Sequence, residues 1–329
     1  MKTVAFFVAF FVSLGLTALL LPLLKRAKAG QEILQYVTEH KCKQGTPTMG
    51  GIAFILAICI VSVLFCDRTY KPVWVIVGVF SAYGIIGFLD DFIKIKFRHN
   101  LGLKPYQKII SQLAVAVLVA LFVRFDVSAG DKLRLPFSSG SVSIGPWIIP
   151  FVVFVFLACS NGVNLTDGMD GLATSTTLCY LGGIVVLLQK ERISLESVGD
   201  TYAVKMLDQV VVLCVISMGA LCAFLLFNVN DAKVFMGDTG SLALGALVAC
   251  VAIFTRFSLF VPILGLMFVV SCVSVIAQVG YYKLSGGKRI FLMAPFHHHL
   301  QKKKWSEPRI CTLYCLITLF SILVLWGFV

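Results

Sequence analysis

Two adjacent carboxylates close an apolar stretch of this chain, in Phe88-Leu89-Asp90-Asp91-Phe92-Ile93-Lys94. Like charges on neighbouring residues repel, and at a helix C-terminus they also oppose the macrodipole. A divalent cation offsets that cost, because Mg²⁺ prefers one or two carboxylates together with substrate oxygens. Neighbours on a helix point about 100° apart, so one carboxylate can reach metal or substrate while the other supports it. A second run, Asn161-Gly162-Val163-Asn164-Leu165-Thr166-Asp167-Gly168-Met169-Asp170-Gly171, spaces Asn164, Asp167 and Asp170 at i, i+3 and i+6, along one side of a helical turn. Its glycines permit close approach of backbone to a ligand. In a third, Asn228 precedes Phe235-Met236-Gly237-Asp238-Thr239-Gly240-Ser241. Here Asp238 can ligate a metal, and Phe235 can stack on a planar base or dip into a membrane beside a helix cap. A fourth joins Gly286-Gly287-Lys288-Arg289 to Ala294-Pro295-Phe296-His297-His298-His299. Consecutive histidines cannot all aim at one ion, so phosphate recognition is favoured over zinc binding or a plain surface loop. Finally, Lys43 leads into Gly45-Thr46-Pro47-Thr48-Met49-Gly50-Gly51, a helix entry whose free N–H groups suit an anion or simply a cap.

The elements that position these groups are apolar spans. Of 329 residues 59% are hydrophobic and 13% charged, against about 25% charged in a soluble domain. A helix needs about 20 apolar residues to cross a bilayer. Ten such segments are expected, near 3–24, 49–66, 72–89, 107–123, 146–160, 172–188, 209–227, 240–255, 259–282 and 310–328. They are too long and too uniformly apolar for barrel strands, so an all-α integral membrane fold in one domain, 1–329, is expected. The first segment has one Lys2 ahead of it and no small-x-small cleavage site, so it reads as a retained span. The eleven cysteines form no paired C-x-x-C motif, which leaves a disulfide frame or zinc site little support. The stretch 126–145 alternates apolar and polar residues between Gly and Ser turns, as a small hairpin would.

Ten spans sort the loops into two sets, and 18 of the 28 lysines and arginines fall in the set near 25–48, 90–108, 161–171, 228–239 and 283–309. That set is therefore expected to be cytoplasmic, with both termini and the hairpin on the outer side. Every chemical motif lies in it. Carboxylates for a divalent metal, basic and histidine donors for phosphates, and glycines for close approach together suit phosphoryl transfer with a nucleotide diphosphate at the cytoplasmic face. A transporter would instead carry its charges at mid-bilayer, and a non-catalytic scaffold would have no use for so many polar groups.

The motifs His40-x-x-Lys43-x-Gly45-Thr46-Pro47-Thr48-Met49-Gly50-Gly51, Asp90-Asp91-x-x-Lys94, Asn164-Leu165-Thr166-Asp167-Gly168-x-Asp170-Gly171, Phe235-Met236-Gly237-Asp238 and Met293-Ala294-Pro295-x-His297-His298-His299 occur in that order along the whole chain. This set resembles the polyprenyl-phosphate N-acetylhexosamine-1-phosphate transferases, specifically the bacterial phospho-N-acetylmuramoyl-pentapeptide transferases. A sister transferase that moves plain N-acetylglucosamine phosphate normally has a different histidine loop. The resemblance implies transfer of phospho-N-acetylmuramoyl-pentapeptide from its UDP donor to undecaprenyl phosphate in the bacterial plasma membrane, early in peptidoglycan synthesis. It also implies Mg²⁺, a homodimer and no nucleic-acid partner. By motif, Asp238 resembles the metal ligand, Asp90 and Asp91 resemble catalytic carboxylates able to share the metal, and His297 a catalytic contact near the sugar phosphate. Lys108 falls on the phosphates. Lys43, Thr48, Asn164, Asp167, Gly168, Met169, Asp170, Asn228, Phe235, Gly237, Gln278 and His298 resemble the nucleoside and substrate pocket.

With cysteines placed singly at 132 and 302, a membrane-impermeant thiol reagent applied to intact cells should label position 132 and spare 302. The reverse pattern would invert the orientation.

Overall fold

The computed structural model describes residues 1–26, 45–97, 102–126, 130–138 and 140–328. Helices form where the apolar segments were expected. They are α1 (Lys2–Arg26), α2 (Gly51–Phe65), α3 (Lys71–Phe97), α4 (Pro105–Phe125), α5 (Ile148–Thr166), α6 (Leu172–Val198), α7 (Thr201–Asn228) and α8 (Gly237–Phe254). A single turn, α9 (Val261–Leu264), then leads into α10 (Leu266–Leu284), the short α11 (Phe296–Lys302) and α12 (Glu307–Trp326). Nine helices among the described residues are long and apolar enough to cross a membrane. The remaining expected span, 49–66, becomes α2, whose 15 residues reach only about 22 Å at 1.5 Å per residue.

Several boundaries differ from the sequence expectation, each for a local reason. The segment expected as one span over 259–282 breaks at Gly265, after a turn with Pro262 at its start. Helix α3 runs past the expected end at 89 to Phe97, because Lys94 pairs with Asp90 one turn earlier and Lys96 sits in the final turn. The aspartate pair therefore lies inside the helix, not at its terminus. The connection expected over 189–208 is mostly helical: Gly199, in the left-handed region at φ 81°, ends α6, and the Asp200 carboxylate caps α7 by accepting from the Ala203 N–H at 3.0 Å.

The expected hairpin is present as β1 (Lys132–Arg134) and β2 (Ser141–Ser143), antiparallel with Leu133 opposite Val142. Arg134 docks it by pairing with Glu191 of α6, and the Arg134 N–H donates to the Arg256 carbonyl at 3.0 Å. Asp131, at the hairpin base, accepts from the Ser143 hydroxyl, which holds its carboxyl below the usual range.

Helix α8 is the centre of the packing, with every residue from Thr239 to Phe254 buried. It lies against α2, α3 and α5, and small residues set the spacing. The Gly50 N–H donates to the Phe235 carbonyl at 2.8 Å and the Gly51 N–H to the Met236 carbonyl at 3.1 Å, so the start of α2 is laced to the start of α8. A Cβ on Gly51 would lie 2.5 Å from the Gly240 Cα, where only backbone could yield.

Gly51→Ala should therefore separate α2 from α8, at a cost of about 1–3 kcal/mol. Thermal unfolding in detergent measures this, and an unchanged midpoint would show that the two helix starts are not held in close contact.

Candidate active site

Four helix ends meet at one end of the bundle. The last turns of α3 supply Asp90, Asp91 and Lys94, the first turn of α4 supplies Lys108, the last turn of α5 supplies Asn164, and the first turn of α8 supplies Asp238. One oxygen from each of Asp90, Asp91 and Asp238 lies within 4.8 Å of the others. Lys94 sits among them, with its Nζ 2.6 Å from Asp90 Oδ2, 2.7 Å from Asp238 Oδ2 and 3.7 Å from Asp91 Oδ1. Lys108 Nζ lies 2.9 Å from the same Asp238 Oδ2 and 3.9 Å from Asp90 Oδ2. Three carboxylates this close, in a site largely out of water, require positive charge to coexist.

The remaining lone pairs are set by short donors. The Leu103 N–H donates to Asp90 Oδ1 at 2.7 Å, and Asp91 Oδ2 accepts from both the N–H and the hydroxyl of Thr239, at 2.9 and 2.8 Å. Asn164 Nδ2 donates to Asp238 Oδ1 at 2.5 Å and to Ser241 Oγ at 2.8 Å. Two glycines make the convergence possible. A Cβ on Gly87 would run into the Asp238 backbone, and one on Gly237 would strike the Asp91 carboxylate and the Thr48 hydroxyl. Asp91 Oδ1 and Thr48 Oγ1 are both buried without a hydrogen-bond partner among the described residues. A carboxylate oxygen without a hydrogen bond beside two others is the donor set of a hard divalent cation, which Asp90, Asp91 and Asp238 could hold.

The other expected site residues lie in the connecting segments and the helix ends beside them. Asp167, half-buried in the turn after α5, is pushed well above the usual carboxylate range by burial and by Asp238, Asp91 and Asp170. It does not share a helix face with Asn164 and Asp170, because α5 ends at Thr166 and Gly171 turns the chain in the left-handed region at φ 68°. A Cβ on Gly168 would strike the His297 ring and lie 3.2 Å from His298 Nε2, so the turn is pressed against the histidines of α11. His297 is fully buried and His298 Nδ1 lies 3.1 Å from Gln301 Oε1. His299 points the other way: its Nδ1 accepts from the Leu292 N–H at 3.1 Å, and burial lowers its pKa. Phe235 is half-buried, and its N–H donates to the Pro47 carbonyl at 2.9 Å.

Met169, Asp170, Asn228 and Gln278 make bracing contacts. Met169 belongs to a buried cluster with Leu172, Met267, Leu300, Ile310 and Tyr314. Asp170 Oδ2 accepts from the Ala232 N–H at 3.1 Å. Asn228 is 2% exposed, donating to the Val234 carbonyl at 3.0 Å and accepting from Thr174 at 2.8 Å. Gln278 Oε1 accepts from the N–H groups of Ile290 and Phe291, at 3.1 and 2.9 Å, and so ties the histidine loop to α10. Lys43 lies outside the described residues.

Residues 73–256 match glycosyl transferase family 4, and residues 43–55 match the phospho-N-acetylmuramoyl-pentapeptide-transferase signature 1. The chain is 40% identical over 318 residues to a phospho-N-acetylmuramoyl-pentapeptide-transferase of Clostridium kluyveri, covering 96% of each chain. It is 41% identical over 322 residues to one of Clostridium novyi, covering 98% of this chain and 94% of the relative. The chain belongs to the phospho-N-acetylmuramoyl-pentapeptide-transferase family. A relative from Rickettsia bellii is 37% identical over 307 residues, so the likeness extends beyond the clostridia. The family signature at 43–55 covers the Gly50-Gly51 contact with α8, so these two glycines are requirements of packing.

Sequence reasoning did not single out Lys94, Thr239 or Ser241 as site residues. The signal for Lys94 was its spacing, one helical turn from Asp90; nothing in the sequence places Thr239 on Asp91. Lys94→Met should leave the carboxylates short of positive charge and therefore more avid for a cation. The rise in unfolding temperature on adding Mg²⁺ should then exceed that of the wild type, since a ligand stabilises by RT ln(1 + [L]/Kd). An equal or smaller rise would remove the three carboxylates as the cation site.

Proposed function

We propose that the protein transfers phospho-N-acetylmuramoyl-pentapeptide from its UDP donor to undecaprenyl phosphate, releasing UMP, with Mg²⁺ as cofactor. The observation that carries this reading is the convergence of Asp90, Asp91 and Asp238 with Lys94 and Lys108 at one end of an apolar helix bundle, in a chain of this family. Carboxylates for a cation, lysines for phosphates and a lipid-facing surround are what a reaction between a water-soluble diphosphate and a membrane-bound phosphate requires. In this reading ten helices cross the bilayer, counting α2, and the carboxylate end faces the cytoplasm with both termini outside.

Undecaprenyl phosphate is largely dianionic near neutral pH, by analogy with monoesters whose second pKa is about 6, so it can attack the donor's β-phosphorus directly. The obstacle is repulsion between two anions. Asp238, with Asp90 and Asp91, would hold Mg²⁺, which supplies charge neutralisation at the diphosphate when bound. Lys108 exchanges its contact with Asp238 for donor phosphate oxygens, while Lys94 keeps the carboxylates together. Asp90 orients the lipid phosphate or takes its residual proton. The pressed turn at Gly168 and the histidines His297 and His298 border the donor, and Phe235 offers a face for its base. Thr48, whose hydroxyl lies against Gly237, would border the same pocket, and Lys43 opens the matched signature.

Purified protein incubated with the UDP donor, undecaprenyl phosphate and Mg²⁺ should yield a lipid whose mass equals acceptor plus sugar phosphate and peptide. Asp238→Ala should lose at least about a thousandfold in rate, the order expected for several kcal/mol of transition-state stabilisation. No UMP should appear without acceptor. Absence of the lipid product overturns the assignment, near-normal turnover in Asp238→Ala overturns the metal role, and a burst of UMP without acceptor overturns direct attack.

A further inference from the structure

One helical turn below the carboxylates, deeper in the bundle, lies a second polar layer. Gln112 follows Lys108 by four residues on α4 and is fully buried. Its Oε1 accepts from Asn161 Nδ2 at 2.9 Å, with Ser160 Oγ at 3.4 Å, both on α5. Its main-chain carbonyl accepts from the Tyr83 hydroxyl of α3 at 3.0 Å. Tyr83 precedes Asp90 by two turns and stacks on Phe156 of α5, with ring centroids 5.8 Å apart. Asn161 precedes Asn164 by three residues, on the same face of α5. Helix α8 closes the layer: a Cβ on Gly245 would lie 2.6 Å from the Cys159 carbonyl.

Gln112 thus joins the three helices that carry Asp90, Lys94, Lys108 and Asn164, and it does so at a chemical disadvantage. Its Nε2 is buried with no hydrogen-bond partner among the described residues, a costly state that an apolar side chain of similar size would avoid. Packing alone gives no reason for an amide here. Its acceptor does, because Lys108 and Asn164 must reach different oxygens of one carboxylate, Asp238 Oδ2 at 2.9 Å and Oδ1 at 2.5 Å. A slide of α4 along α5 by one residue is about 1.5 Å, enough to carry either donor out of hydrogen-bonding range.

We infer that Gln112 is a positioning residue: its Oε1, bonded to Asn161, locks α4 to α5 in the register that seats Lys108 and Asn164 together on Asp238. The inference rests on the proposed function only for its activity readout. Gln112→Met keeps length and bulk without an acceptor, whereas Gln112→Glu keeps an acceptor carbonyl as the neutral acid. With both substrates and Mg²⁺, Gln112→Met should lower kcat about tenfold or more while each KM changes less than about twofold, the pattern of a group needed for geometry in the transition state. Gln112→Glu should stay within about threefold of wild type. Gln112→Met combined with Asn164→Ala should lose less than the product of the two single losses, because both act in part through the same carboxylate.

The inference is overturned by wild-type kcat in Gln112→Met, by a loss confined to KM, by Gln112→Glu falling as far as Gln112→Met, or by losses that multiply in the double variant. Should Gln112→Met not fold, Asn161→Leu removes the same hydrogen bond from the half-buried α5 side and carries the same expectations. An inactive wild type would count against the proposed function instead, and the unfolding temperature gained on adding Mg²⁺ would then be compared: it should rise in Gln112→Met as Lys108 leaves Asp238, as expected for Lys94→Met, and no change would overturn the positioning role.

Discussion

Three carboxylates within 4.8 Å of one another, in a site walled by apolar helices, is the constraint around which the rest of this protein is arranged. Such a group cannot stay ionised without cations, and burying unpaired charge costs far more than any single packing contact returns. Lys94 and Lys108 meet that need from two helices. The backbone and hydroxyl donors of Leu103 and Thr239 and the amide of Asn164 then fix each carboxylate's orientation. Bringing those donors together dictates which helix ends must meet, and hence how α3, α4, α5 and α8 cross.

The glycines follow from the same demand. Gly87 lets α3 approach the start of α8 until Asp90 and Asp91 reach Asp238, Gly237 leaves room for the Asp91 carboxylate, and Gly51 lets α2 close over Gly240. The close packing of α8 is the structural cost of holding one aspartate still. Around it, Asn228, Asp170 and Gln278 bind backbone groups of the connecting segments, so the site's walls are braced by polar side chains whose atoms are turned inward.

Much of this was legible in the sequence. The apolar segments announce helices, and Asp90, Asp91, Asn164 and Asp238 stand out because acids and amides at the ends of apolar segments are expensive unless they have work to do. Residues whose role depends on a partner far along the chain stayed hidden. Gln112 reads as an ordinary polar residue in a span, and its link to Asn161 crosses 49 positions. Helix ends were read short wherever charged residues continue a helix beyond its apolar part, as Lys94 and Lys96 do for α3 and as residues 189–198 do for α6. Hydropathy sees the lipid but not the ion pairs and caps that extend a helix out of it. The same limit hides the bracing contacts of Asn228 and Met169: a motif records that a residue is needed, not what it packs against.

The burial of α8 bears on how the protein is made. The long helices it packs against, α2, α3, α5 and, more slightly, α6, precede it in the chain. A ribosome feeding the chain into a membrane would therefore deliver α8 to a cleft already lined by its partners. A helix that begins with Gly237-Asp238-Thr239 and carries Ser241 is poorly suited to wait alone in lipid. Arriving after them, it can pass directly into contact with Lys94, Lys108 and Asn164, so the carboxylate cluster assembles as the helix is inserted.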